Sequence, residues 1–133
     1  MTNEERKDYL FSIAKKKFKE MLNSYKEENW NMVIRNAQES VECYLKGILK
    51  LMNIEFPKEH DIGDYFGKIF KQKKITVDNN ILDRIKLVSE ELTKKRAPAY
   101  YGEEFYTREE AEEAKNYAEF IRNFVKDLLE KLK

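Results

Sequence analysis

Apolar residues recur at helical spacing through almost the whole chain, and nowhere more plainly than between residues 30 and 52. There Trp30, Val33, Ile34, Ala37, Val41, Tyr44, Leu45, Ile48 and Met52 fall on one face of a 3.6-residue repeat. Such a stripe must be buried against other helices, and the chain supplies them. Leu10, Ala14, Phe18, Met21, Leu22 and Tyr25 form a second stripe, and Ile81, Leu82, Ile85, Val88 and Leu92 a third. Ala111, Ala114, Ala118, Ile121, Val125, Leu128 and Leu132 form a fourth, whose small residues let a neighbouring helix approach closely. A shorter one carries Ile62, Tyr65, Phe66, Ile69 and Phe70. With four Gly and two Pro in 133 residues, the tight turns that a β-sandwich needs are missing. The pattern predicts an all-α fold, an antiparallel four-helix up-and-down bundle plus one short additional helix, formed by residues 1–133 as a single domain.

Capping signals set the boundaries. Thr2 with Glu5 and Thr107 with Glu110 have capping-box spacing, so helices are expected over about 3–27 and 108–132. Asn29 caps a central helix over about 30–52, ended by Asn53 and Pro57. Asp61 is the expected cap of the short helix, about 62–71, and Asp78 that of a helix over about 79–97. Pro98 is expected to stop or kink that last one, because proline disfavours helical geometry at Ala97.

Composition removes several function classes. Lys+Arg 26 against Asp+Glu 25 leaves a net charge of +1, which is not the bulk footprint of a nucleic-acid-binding domain, though a local basic patch is compatible with it. The start MTNEERKDYL has no hydrophobic signal core and no apolar run approaches the ~20 residues of a membrane span. A cytoplasmic protein without membrane contact is expected. The single Cys43 cannot form an internal disulfide and reads as a buried, inert thiol. Eight Tyr, eight Phe and one Trp carry more apolar surface than one small bundle hides, so a homodimer is expected.

Metal chemistry has no ligands to work with. A di-iron bundle needs two Glu-x-x-His units, and His60 is the lone histidine, with no Glu three residues before it. No metal and no cofactor are expected. His60 is either a loop or capping residue or one polar group of a binding groove. Two patterns remain. Arg35, Glu39, Glu42 and Lys46 form one charged stripe on the central helix, either a solvated face held by i,i+4 pairs or a polar site. The segment from Lys94 to Gly102 sets Lys94, Lys95 and Arg96 beside Tyr100 and Tyr101 at a helix end. Cations pair with phosphate and rings stack on bases, so this is the candidate anion or nucleotide site. The alternative is that the tyrosines pack the end of the bundle while the cations cap carbonyls.

Taken in order, Ala37, Glu42, the pair Leu45–Lys46, Pro57, His60–Asp61, Arg96, Ala99–Tyr100–Tyr101 and the helix start Thr107–Ala111 resemble the HEPN domain family over nearly the whole chain. The resemblance implies an all-α, commonly homodimeric protein. It implies a minimal nucleotidyltransferase as partner in a toxin–antitoxin arrangement, and a metal-independent RNase site built around an arginine followed four to six residues later by a histidine. Arg96 matches that arginine, but Tyr100, Tyr101 and Gly102 stand where the histidine would be. The motif's general acid–base is therefore missing. The expected function is a nucleotide- or RNA-binding module without RNase activity, using Arg96, Tyr100 and Tyr101, with Lys46, Glu42 and His60 as neighbours. The alternatives are an RNase with a rearranged site, using Arg96 with Tyr100 or His60, and a non-catalytic dimerisation module.

Overall fold

The computed structural model describes residues 1–132, and Lys133, the last residue of the expected domain, lies outside the described residues. Five helices follow in the expected order: α1 Asn3–Lys26, α2 Trp30–Leu51, α3 Gly63–Gln72, α4 Asn79–Tyr101 and α5 Arg108–Lys131. Both capping boxes form, with the Glu5 amide donating to Thr2 Oγ1 at 3.1 Å and the Glu110 amide to Thr107 Oγ1 at 3.2 Å. Asn29 Oδ1 accepts the Met32 amide at the start of α2. At the other ends, α1, α2 and α3 close in one way. Glu28, Asn53 and Lys74 take positive φ, and the next amide reaches back to Ser24, Leu49 and Phe70 respectively. These six-to-one bonds satisfy carbonyls that would otherwise end the helices unpaired.

The bundle is organised around α2, which packs against all four other helices, most extensively α1. Its stripe supplies Val33, Ile34, Ala37, Leu45, Ile48 and Leu49, all with no exposed surface, to a single core shared with Met21, Ile85, Phe66 and Ile121. The small side chains Ala111, Ala114 and Ala118 are buried where α5 meets α2. α3 lies mainly against α4. Among the described residues no helix is long and apolar enough to cross a membrane.

Four local expectations are corrected. Asp61 does not cap α3: Ile62 occupies that position without a side-chain bond. Instead Ser89 of α4 accepts the Gly63 amide at 3.0 Å and donates to Asp61 Oδ1 at 2.6 Å, a cap supplied from another helix. Nor does Pro98 stop α4, which continues to Tyr101. Tertiary contacts hold that last turn: Ala99 is buried, and its carbonyl accepts Asn31 Nδ2 at 3.1 Å. Gly102, at φ 68°, then ends the helix, with the Glu103 amide on the Pro98 carbonyl. Ile81 and Leu132 are exposed and not part of the core: Ile81 lines an open cleft against Phe120 and Phe124 of α5, and α5 has ended before Leu132.

Cys43 is half-buried, and burial pushes its thiol from 9.0 to about 11. At pH 8 the folded protein should react with iodoacetamide about a hundredfold more slowly than the guanidinium-unfolded chain, since only the thiolate attacks. The sequence reading of Cys43 as buried is thus met only in part, and equal alkylation rates followed by mass spectrometry would contradict its raised thiol.

Candidate functional site

The charged stripe of α2 is not a solvated face. Glu42 and Lys46 keep only 14% and 11% of their side-chain surface, and bond to each other at 2.7 Å. The stripe is where the two sequence patterns meet. Glu39 gathers three cations from three helices: Arg35 Nε at 3.2 Å, Lys17 at 3.8 Å and Arg96 Nη2 at 3.8 Å. The Arg35 guanidinium lies 3.7 Å from the centre of the Tyr100 ring, a cation–π stack that draws the end of α4 onto α2. Tyr100 remains 55% exposed, so the other side of its ring is open, and Tyr101 meets it edge-on at 4.9 Å. Arg96 Nε is buried without a hydrogen-bond partner among the described residues. Its contact with Glu39 is longer than a hydrogen bond, so this cation is incompletely paired.

One turn further along α2, Glu42 holds His60. His60 Nδ1 lies 2.9 Å from Glu42 Oε1, and the buried Gln38 amide donates to Glu42 at 3.0 Å and to the His60 carbonyl at 3.3 Å. A carboxylate only accepts, so the hydrogen of the histidine contact sits on Nδ1. His60 sits in the connection before α3, more than half exposed, and is held there by Glu42. Glu39 and Glu42 are i,i+3 neighbours, about 5–6 Å apart at Cβ, so the arginine and histidine partners are held on one face.

The three cations of the Lys94–Arg96 run do not act together. Lys94 turns to Glu91 and Lys95 to Glu110 and Glu113, leaving only Arg96 on the α2 face. Two participants gave no signal in the sequence: Gln38, and Asn31, whose amide fixes the α4–α5 connection. Asn31 Nδ2 donates to the carbonyls of Ala99 and Glu104, and its Oδ1 accepts the Tyr106 amide. Among the described residues no three His, Cys, Asp or Glu side chains converge to hold a metal ion.

No curated protein and no solved structure matches the chain. The family model described as HEPN domain matches residues 8–128, nearly the whole length, with the helical fold the resemblance implied. The chain belongs to the HEPN domain family.

Proposed function

We propose that this protein is a HEPN module that binds a nucleotide or single-stranded RNA on the α2–α4 face, pairs with a minimal nucleotidyltransferase, and does not cleave RNA. The observation carrying the binding proposal is the meeting of an incompletely paired Arg96 with a half-exposed Tyr100 ring beside Arg35. A guanidinium grips phosphate oxygens and an open ring face stacks on a base, the two contacts that unstructured RNA offers at every residue. The nucleotidyltransferase pairing comes from the family resemblance. Titration of a fluorescein-labelled single-stranded RNA should give saturable binding, and a flat titration would overturn the reading.

A specific contact favours the second reading, an RNase with a rearranged site. Glu42 holds His60 through Nδ1, an arrangement that in a neutral ring leaves Nε2 as the acceptor, as a carboxylate does for the base of a catalytic triad. Metal-free cleavage needs a second group to protonate the leaving oxygen, each proton transfer contributing ~10²–10⁴-fold. No side chain stands in for it: Arg96 stays protonated, and a phenol such as Tyr100 is a poor proton carrier at neutral pH. The expected result with EDTA present is uncut RNA for wild type. Cleavage by wild type, lost in both Arg96→Ala and His60→Ala, would make the protein an RNase.

A homodimer is also proposed. Tyr101 and Phe105 are exposed within five residues at the α4–α5 connection, an apolar patch of the kind that pairs. Sedimentation at micromolar concentration should give twice the 16.0 kDa protomer mass, and a single 16.0 kDa species would refute it.

A further inference from the structure

A concave site lies at the other end of the α2 stripe. It is a cleft of about 440 Å³ between the start of α1, the middle of α2 and the connection before α3, and its wall includes Arg6, Tyr9, Leu10, Lys46, Phe56 and Lys58. Its volume is in the range that small ligands fill, about 300–1,000 Å³. The charges in it are unequal in state. Lys46 is paired with Glu42 and, with Lys50, lies over the Phe56 ring at 5.4 and 5.1 Å, so Phe56 is a fixed wall already covered by cations. Arg6 and Lys58 have no carboxylate within ion-pair distance among the described residues. Tyr9 is 57% exposed and, among the described residues, stacks on no other ring or cation.

We propose that this cleft is a subsite for single-stranded RNA, with Arg6 and Lys58 taking a phosphate and Tyr9 stacking on a base. The inference rests on the RNA-binding reading of the α2–α4 face and extends it. Arg35 and Lys46 are eleven residues apart on one face of α2, about 16 Å at 1.5 Å per residue. Arg96 and Tyr100 stand at one end of that distance and the cleft at the other, with Glu42 shared between His60 and the cleft wall. Uncompensated cations with an open aromatic ring fit a polyanion carrying bases, whereas a free inorganic anion would leave the Tyr9 ring without a partner.

The test is anisotropy of a labelled single-stranded RNA decamer over a salt series, with wild type, Lys58→Ala, Tyr9→Ala and Arg96→Ala. Lys58 and Tyr9 are exposed, and circular dichroism with thermal melting verifies that their variants fold. Lys58→Ala should lower the slope of log affinity against log salt by about 0.7, the loss of one phosphate contact to a single strand. Tyr9→Ala should weaken binding about five- to a hundredfold with the slope unchanged, as for a lost stacking platform. Wild-type affinity and slope in both variants, with binding still weakened by Arg96→Ala, would overturn the subsite and leave the α2–α4 reading intact. Absence of binding by wild type would overturn both.

Discussion

Gly63→Ala should lower the melting temperature by roughly 8–16 °C, corresponding to about 2–4 kcal/mol in a domain of this size. A Cβ at position 63 would stand 2.5 Å from Ser89 Cβ and 2.9 Å from the Ile85 carbonyl oxygen. The second of these is helix backbone, which cannot swing aside as a side-chain tip can. Relief requires α3 to move off α4, and that movement breaks the Gly63 amide bond to Ser89 at 3.0 Å. The buried amide is then an orphan, which costs about 1–3 kcal/mol in addition to the strain. Ser89→Ala removes the acceptor, together with the bond to Asp61, and creates no clash; it should cost about 1–3 kcal/mol. A thermal melt of Gly63→Ala indistinguishable from wild type would mean that α3 separates from α4 freely.

Arg96→Ala should weaken RNA binding about ten- to a hundredfold, the loss of a charge-assisted contact worth roughly 1.5–3 kcal/mol. Arg96→Lys should weaken it as well, because an ammonium cannot present two parallel donors to a phosphate. The fold should tolerate both changes. Glu39 keeps Arg35 and Lys17 when Arg96 is gone, and truncation to alanine also removes a buried Nε that has no partner among the described residues. Affinity unchanged in Arg96→Ala, with helicity intact, would place the RNA elsewhere on the molecule.

Features decided within a turn or two of chain were legible from sequence. Thr2 with Glu5, Asn29 with Met32, and Thr107 with Glu110 find their partners three residues away, so spacing alone sets them. The cap of α3 was not legible because its acceptor, Ser89, is 26 residues from the Gly63 amide. The end of α4 was misread for the same kind of reason. Proline preference acts locally, whereas Asn31, 68 residues away, and the Arg35–Tyr100 stack hold the turn beyond Pro98. The candidate residues Arg96, Tyr100, Tyr101, Glu42, Lys46 and His60 were named from residue type and family resemblance. Their grouping was not legible there: Glu42 and His60 are 18 residues apart, and only folding shows that Arg96 is the cation of its run that faces α2. The Arg6–Tyr9–Lys58 cleft had no signal at all, since its residues come from segments that meet only when α1 docks on α2.

The continuation of α4 through Pro98 has a thermodynamic consequence. Because the turn is helical, Arg96 and Tyr100 are i,i+4 neighbours on one side of a regular element instead of occupants of a loop. Their backbone is already ordered, and the Arg35 guanidinium packs on the Tyr100 ring at 3.7 Å. Immobilising a free side chain on binding costs about 0.5–1.5 kcal/mol, and ordering a loop adds to that for every residue fixed. A ligand reaching this face meets a pre-organised pair, so the entropic penalty of recognition falls on the RNA and hardly on the protein.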